Sequence, residues 1–173
     1  MLESDAMEFL KSAIYQTDKP QVWMDLGCGS GTFTKALAHL LPPKSLIIAV
    51  DAEKQSINAE HKNGIEIKFV QQDFTEKLQV KEHPDGILIA NALHYVRNQQ
   101  EFLQGLIKRY PDLRSIVIIE YDADIPNQWV PYPITYNTLR SLSEKLMAKR
   151  ISRTGERKSV YNNNKMYIAR LDL

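Results

Sequence analysis

Three polar side chains stand where strand-like runs of this chain end, and together they could bind a nucleotide-like ligand. Asp51, Asp73 and Asn91 each follow a run in which Ile, Leu and Val recur. In a parallel sheet the carboxyl ends of the strands meet at one edge, where ligands bind. Asp51 also lies 20 residues after Gly31, the distance at which a strand-end acid reaches ribose hydroxyls in such sheets. The spacing therefore predicts a ribose-binding edge.

A glycine-rich segment precedes these residues in the chain. Asp25 is followed by Gly27, Gly29 and Gly31, directly after a short apolar stretch. Glycines at alternate positions let the backbone turn tightly and approach a ligand without side-chain clash. A dinucleotide fingerprint counted from Gly27 requires glycine at position 32, where this chain has Thr32. The segment therefore disfavours a nicotinamide dinucleotide as the ligand.

An acid two positions before the pattern GxGxG resembles the first motif of the class I S-adenosylmethionine (SAM)-dependent methyltransferases. The run Trp-Val-Pro-Tyr-Pro at 129–133 resembles that of small, uncharacterised bacterial members. The resemblance implies SAM as cofactor, with the glycine turn beside its methionine end. It also implies an acidic side chain that binds the adenine amino group and an adjacent apolar side chain that packs on the adenine ring. The implied cofactor-binding residues are Asp25, Gly27, Gly29, Gly31, Asp51, Asp73, Phe74 and Asn91.

Each of these residues also has a purely structural interpretation. A glycine cluster occurs in any tight connection from strand to helix. Asp51 is also suited to cap a helix over Glu53–His61, since Asp is common before a helix. Asp73 could begin a turn and Phe74 could belong to the core.

Methyl transfer from a sulfonium to a nucleophile releases a neutral thioether, so the reaction depends mainly on alignment and exclusion of water. A base is required only if the acceptor is a hydroxyl, a thiol or a protonated amine. The candidates are His94, Tyr95, Asp122 and Tyr132, of which we select His94 and Tyr132 as catalytic residues. A histidine packed after a strand is also commonly structural.

The acceptor pocket is predicted between Asn91, His94 and the loop 129–132, beyond the carboxyl ends of the fourth and fifth predicted strands, 87–91 and 115–121. This loop carries three prolines within 126–133, and stiff aromatic loops at such a sheet edge commonly form ligand pockets. Alternatively, Trp129 covers the core.

A metal site is the less favoured interpretation of the acids that end the fifth strand. Glu120, Asp122 and Asp124 alternate, and carboxylates could chelate Mg²⁺ together with substrate hydroxyls. Asn91 contributes no charge to such a site, and no further His or Asp reinforces it. We therefore predict no metal.

Apolar runs and amphipathic segments alternate along the chain, which predicts an α/β fold. Strands are predicted at 21–26, 45–51, 65–70, 87–91 and 115–121, and the intervening helices at 32–41, 53–61 and 100–110. A helix at 2–17 begins the chain, and a helix at 138–149 and a hairpin of 151–161 and 165–171 end it. The result is a Rossmann-like, doubly wound sheet of seven strands with helices on both faces. By the family resemblance, the last strand is antiparallel and lies between the fifth and sixth.

The composition is that of an ordinary globular protein, with 43% hydrophobic and 25% charged residues among 173. We predict one domain, 1–173, in which cofactor and acceptor share a single fold. No apolar run of about 18 residues occurs, and the first residues lack a basic signal-peptide region. Because Cys28 is the single cysteine, a disulfide framework is excluded and a cytoplasmic location is expected.

The C-terminal half is basic, with 13 basic and 8 acidic side chains from residue 91 onward. A nucleic-acid surface is conceivable, but basic residues also suit a helix end and a sheet edge, which we favour. The prediction is a methyltransferase for a small-molecule acceptor (EC 2.1.1.-). The alternatives are an RNA or protein methyltransferase, or a SAM-binding module without its own catalysis. The strand end Asn91-Ala92-Leu93-His94 also lacks the Pro-Pro motif typical of enzymes that methylate base amino groups.

Overall fold

A computed structural model describes residues 1–57, 60–61, 64–158 and 165–173. Four helices and eight strands are found in these ranges, with a short 3₁₀ turn at Leu93–Tyr95. The helices are α1 (Glu3–Lys11), α2 (Thr32–Leu40), α3 (Gln99–Arg109) and α4 (Tyr136–Lys145). The strands are β1 (Val22–Leu26), β2 (Leu46–Asp51), β3 (Glu60–His61), β4 (Ile65–Gln71), β5 (Gly86–Ala90), β6 (Ser115–Tyr121), β7 (Arg150–Lys158) and β8 (Lys165–Asp172).

The strands form one sheet in the order β3-β4-β2-β1-β5-β6-β8-β7. Strands β4, β2, β1, β5 and β6 are mutually parallel, and β8 runs antiparallel between β6 and β7. The doubly wound sheet predicted from the sequence is therefore confirmed, including the place and direction of its last strand. The two-residue β3 adds a short antiparallel edge to β4. The predicted Asn162–Asn164 connection of the hairpin lies outside the described residues.

Apolar side chains fill both faces of the sheet, because successive residues of a strand point to opposite sides. Along β1, Met24 packs in the cluster that contains Leu103 of α3 and Leu139 of α4. Its neighbour Trp23 packs in the cluster that contains Leu10 of α1 and Leu37 of α2. The helices therefore cover both faces, as predicted.

The helix predicted over Glu53–His61 is wrong. Residues 53–57 are not helical, and Glu60 and His61 belong to β3. Only one apolar side chain, Ile57, occurs within 53–57, and its atoms lie 3.2 Å from the position of a Cβ at Gly31. The segment thus has no apolar face to bury, and an isolated helix of this length is unstable in water.

The first helix is shorter than the predicted span 2–17, since α1 ends at Lys11. Ala13 and Ile14 are still buried, but the carbonyl oxygen of Ala13 accepts a hydrogen bond from Arg170 Nη1 at 2.8 Å. A bond to β8 therefore replaces a helical bond at this carbonyl. None of the helices described here is long and apolar enough to cross a membrane.

Several basic side chains of the C-terminal half are engaged within the protein. Arg153 Nη2 lies 3.2 Å from Asp122 Oδ2, and Arg157 Nη2 lies 3.8 Å from Asp5 Oδ2. Lys149 Nζ donates to the carbonyl oxygen of Leu173 at 2.7 Å. These contacts favour the structural interpretation of the basic residues.

Candidate functional site

The glycine turn joins β1 to α2 with a left-handed backbone. The φ angles of Gly27, Gly29 and Gly31 are 77°, 50° and 85°. At Gly27 a side chain is also excluded by contact, because an added Cβ would lie 2.5 Å from Ala92 Cβ. The amide of Gly27 donates to Val50 O at 2.8 Å, which fixes the turn on the end of β2. Backbone therefore forms the floor of this sheet edge.

Asp51 connects the end of β2 to the same turn. Its Oδ2 accepts a hydrogen bond from Gly29 N at 2.8 Å, and its Oδ1 accepts one from Glu53 N at 3.0 Å. A carboxylate oxygen can accept more than one hydrogen bond, so both oxygens retain acceptor capacity. Asp51 can thus hold the turn and bind hydroxyl groups at once.

A cavity of about 740 Å³, which we call the Gly-turn cavity, opens above this turn. Six of the eight predicted cofactor residues line it, and Asp25 and Gly31 do not. Tyr121 and Met166 also line it and were not predicted as site residues. The six are Gly27, Gly29, Asp51, Asp73, Phe74 and Asn91.

Asp25 is fully buried beneath the turn. Thr34 of α2 donates its hydroxyl hydrogen to Asp25 Oδ2 at 2.6 Å, whereas Oδ1 has no partner among the described residues. Burial raises the pKa of Asp25 to about 7, the Thr34 hydrogen bond opposes this, and the charge of Asp51 adds to it. Burial likewise raises the pKa of the Cys28 thiol, which suits a packed side chain rather than a nucleophile.

Asp73 and Phe74 form one wall of the Gly-turn cavity. Asp73 is exposed, and its Oδ1 accepts hydrogen bonds from Thr75 N at 2.8 Å and Thr75 Oγ1 at 2.7 Å. Phe74 is buried, with its ring centroid 5.9 Å from that of Phe102 in an edge contact. Both structural interpretations of these residues thus hold, and both residues also face the cavity.

A second cavity, of about 800 Å³, adjoins the first, and we call it the His94 cavity. The two share Asn91, Tyr95 and Tyr121 in their walls. Asn91 has a left-handed φ of 51°, and its buried Oδ1 has no partner in the described part of the chain. Because buried polar atoms are nearly always hydrogen-bonded, this oxygen marks the junction as a place for a ligand.

His94 lines the second cavity and forms a buried pair with Glu120 behind it. The two residues have 2% and 1% of their surfaces exposed. Glu120 Oε2 lies 2.8 Å from His94 Nδ1, and Oε1 accepts a hydrogen bond from His94 N at 3.1 Å. Glu120 thus fixes both the ring and the backbone of His94. Sequence reasoning missed this partner, although a carboxylate within the Ile-rich run of β6 needs one to be buried.

The loop after β6 separates two residues that were predicted together. Trp129 lines the His94 cavity and is 72% exposed, which contradicts the alternative interpretation that it covers the core. Tyr132 instead lines a third cavity, of about 680 Å³, between α3 and residues 74–78. Its amide donates to His94 O at 3.0 Å, and the turn at Asn127 carries Trp129 away from it.

The acids at the end of β6 are engaged separately. Glu120 binds His94, while Asp122 Oδ1 accepts a hydrogen bond from Tyr136 N at 3.0 Å and Oδ2 pairs with Arg153. Within the described ranges no three His, Cys, Asp or Glu side chains are grouped so as to hold a metal ion.

The sequence matches the methyltransferase-domain family over residues 17–167. The chain belongs to this methyltransferase family. The family is the one that the glycine turn predicted, and its cofactor is SAM. No curated protein matches the sequence.

Solved methyltransferases share the fold of this family member. The 1,6-didemethyltoxoflavin-N1-methyltransferase of Burkholderia thailandensis has a TM-score of 0.68 and 19% identity, over 98% of this chain and 77% of that one. The magnesium protoporphyrin IX methyltransferase of Synechocystis has a TM-score of 0.65 and 14% identity, over 99% of this chain and 77% of that one. The arsenic(III) methyltransferase of Chlamydomonas reinhardtii has a TM-score of 0.66 and 13% identity, over 94% of this chain and 66% of that one.

The Gly-turn cavity fits SAM in size and chemistry. Its volume of about 740 Å³ lies within the usual range of ligand pockets, about 300–1,000 Å³. Its wall offers carboxylates to hydroxyl and amino groups at Asp51 and Asp73, an aromatic ring at Phe74, and bare backbone at Gly27. Asn91, whose Oδ1 has no partner among the residues that the structure describes, lies at the side that opens to the His94 cavity.

Proposed function

We propose that this chain is a SAM-dependent methyltransferase for a small-molecule acceptor, with residues 1–173 acting as one domain. The observation that carries the proposal is the shared wall of Asn91, Tyr95 and Tyr121 between the Gly-turn cavity and the His94 cavity. A donor in one cavity and an acceptor in the other would meet at this wall. Alignment of two reactants in adjoining pockets is the main source of rate for such a transfer.

Residues of the Gly-turn cavity hold the cofactor in this proposal. Asp51 accepts the ribose hydroxyls, Asp73 accepts from the adenine amino group, and the Phe74 ring packs on the adenine. The backbone of Gly27 and Gly29 borders the methionine end. SAM bound there supplies an electrophilic methyl group on a sulfonium.

Two predicted residues act from behind the cavity wall. Asp25 anchors α2 through Thr34, and Gly31 provides the left-handed residue at which α2 begins. Asn91 presents its amide oxygen at the junction of donor and acceptor. These residues shape the turn and the junction without needing to transfer a proton.

His94 is the general base of the proposed reaction. Glu120 accepts from Nδ1–H, which makes Nε2 the proton-accepting nitrogen of the neutral ring. Glu120 is a positioning residue, because it acts through His94. Tyr132, predicted as catalytic, lines the neighbouring 680 Å³ cavity, and we assign it a role in holding the loop against His94 through its backbone.

Three structural neighbours carry the names of methyltransferases for 1,6-didemethyltoxoflavin, magnesium protoporphyrin IX and arsenic(III), all of them small molecules. This agrees with an acceptor cavity of about 800 Å³. An RNA or protein acceptor is less favoured, because Arg153 and Arg157 form ion pairs within the chain. A cytoplasmic location remains our proposal, on the single cysteine.

The test is transfer of a labelled methyl group from SAM into cell extract separated into metabolites, RNA and protein. We expect label in the metabolite fraction only. Label confined to RNA or protein would contradict the small-molecule proposal. Binding of S-adenosylhomocysteine (SAH), measured by calorimetry, without transfer to any fraction would favour the non-catalytic module instead.

A further inference from the structure

The described residues give the His94 cavity an uncharged wall. None of the Lys, Arg, Asp or Glu side chains in the described ranges lines it, whereas five charged side chains line the adjoining 680 Å³ cavity. A charged ligand that enters an uncharged pocket loses hydration without gaining a counter-ion. The wall of the His94 cavity consists of His94 and Val130, three aromatic rings (Tyr95, Tyr121, Trp129) and three amides (Asn91, Asn127, Gln128).

Two of these aromatic rings expose much of their surface. Trp129 is 72% exposed and Tyr95 is 53% exposed, and both line the same cavity. The backbone of Trp129 is held, because its amide donates to Asn127 Oδ1 at 2.9 Å, and the Tyr95 ring packs on His94 with ring centroids 4.4 Å apart. Exposed rings beside a cavity are suited to stack on a planar ligand.

The remaining nitrogen of His94 is available to a ligand. Nδ1 is occupied by Glu120, and the ring makes no other hydrogen bond to the described residues. Nε2 therefore has capacity for one polar partner from the cavity. An acceptor whose nucleophilic atom carries a hydrogen provides that partner.

We infer that the methyl acceptor is an uncharged, planar aromatic or heteroaromatic compound whose nucleophile is a hydroxyl or ring N–H directed at His94 Nε2. This inference rests on the proposed methyltransferase function. The X–H proton passes to Nε2, and the electron pair on X forms the X–CH₃ bond. The electrons of the breaking S–CH₃ bond stay on sulfur, which becomes a neutral thioether, and the imidazolium later releases its proton to water.

Trp129 provides a direct probe of this binding. The other tryptophan of the chain, Trp23, is buried in the core and is 2% exposed. We would titrate the SAH-saturated protein with 4-hydroxyquinoline, quinoline-4-carboxylate and 4-(aminomethyl)quinoline, which are neutral, anionic and cationic. Quenching of Trp129 fluorescence measures the affinity of each compound. We expect the neutral compound to bind at least tenfold more tightly than either charged one. The Trp129→Phe variant gives the background fluorescence of Trp23.

A charge introduced into the wall should change this preference. Gln128→Lys should increase the affinity for quinoline-4-carboxylate about tenfold, because it supplies the missing counter-ion. Gln104→Lys is the matched control, since Gln104 is exposed on α3 and lines neither the His94 cavity nor the Gly-turn cavity. An equal increase in both variants would place the anion outside the His94 cavity and overturn the inference.

The proton requirement is tested with 4-methoxyquinoline, which has the same ring without the X–H group. We expect it to bind the SAH-saturated protein at least fivefold more weakly than 4-hydroxyquinoline. Equal affinities, tighter binding of a charged quinoline, or no quenching by any of the compounds would overturn the inference. If SAH itself fails to bind by calorimetry, the proposed function fails instead.

Discussion

A buried carboxylate lies behind each of the two adjoining cavities, and the two carboxylates differ in how many of their oxygens accept hydrogen bonds. Glu120 behind the His94 cavity uses both oxygens to hold one histidine. Asp25 beneath the Gly-turn cavity has one oxygen bound to Thr34 and one without a partner among the described residues. The first carboxylate positions a side chain at the cavity wall, whereas the second anchors a helix to the sheet.

The comparison extends to the walls of the cavities. Backbone and strand ends form much of the Gly-turn cavity, and sheet hydrogen bonds such as Gly27 N to Val50 O fix them. Side chains of the loops around His94 and Trp129 form the His94 cavity. Changes in the first cavity should therefore alter stability and cofactor affinity, and changes in the second should alter turnover.

The largest effect is expected for His94→Gln, which removes the general base. Turnover should fall by about 10²- to 10⁴-fold, the usual contribution of general acid–base catalysis. SAH affinity, measured by calorimetry, should change less than twofold, because His94 does not line the Gly-turn cavity. His83→Gln is the matched control at an exposed position. A parallel loss of SAH affinity and turnover in His94→Gln would erase the distinction between the cavities.

A smaller effect, on stability, is expected for Gly27→Ala. The added Cβ would lie 2.5 Å from Ala92 Cβ at a φ of 77°, and crowding with backbone strain should cost about 3 kcal/mol. At Gly29 no heavy atom of the described residues beyond its two chain neighbours lies within 4 Å of the added Cβ, so Gly29→Ala should cost only about 1 kcal/mol. Urea denaturation measures both. Equal losses would show that the close contact with Ala92 does not constrain the turn.

Asp51→Asn should weaken SAH binding by about 2 kcal/mol, because charge-assisted hydrogen bonds to hydroxyls are lost. The amide retains one acceptor oxygen for Gly29 N, so the turn should persist and the unfolding midpoint should change little. Asp124→Asn, at an exposed position outside both cavities, controls for the change in net charge. Unchanged SAH affinity in calorimetry would return Asp51 to a structural role.

The regions also differ in how far the sequence predicts them. The Ile- and Val-rich runs of β2 and β6 and the turn at Gly27 follow local rules of burial and backbone geometry, and the sheet order follows from the family resemblance. The pairing of His94 with Glu120 joins residues 26 positions apart. Local patterns do not encode such a contact, because it depends on how β5 and β6 pack side by side.

Two predicted site residues do not line the cavities in which the sequence analysis expected them. Asp25 was predicted in the cofactor site, but its side chain is bound to Thr34 of α2 and does not line the Gly-turn cavity. Tyr132 was predicted in the acceptor pocket with His94, and its amide does donate to His94 O, but its side chain lines the 680 Å³ cavity instead. Each residue is close in sequence to residues that line the expected cavity, but its own side chain does not line that cavity.

The smallest effect concerns the partly satisfied carboxylate, and it appears in the pH dependence of stability. Because burial raises the pKa of Asp25 to about 7 from 3.8, the folded protein binds a proton that the unfolded chain releases between these pH values. The stabilisation from this proton is complete below the unfolded pKa and is lost as the pH rises through about 7. Between pH 6 and pH 8 the wild-type protein should therefore lose about 1 kcal/mol more stability than Asp25→Asn, which cannot titrate.

Urea unfolding of both proteins at pH 6 and pH 8 isolates this contribution, because every other titrating group is shared. The variant keeps an amide oxygen to accept the Thr34 hydroxyl, so α2 should remain anchored. Identical pH dependence in the two proteins would mean that Asp25 is already ionised at pH 6. It would then be as well satisfied as Glu120, and the contrast between the two buried carboxylates would disappear. A steeper loss in the wild-type protein would instead show that the Gly-turn cavity rests on a group whose charge is poorly compensated.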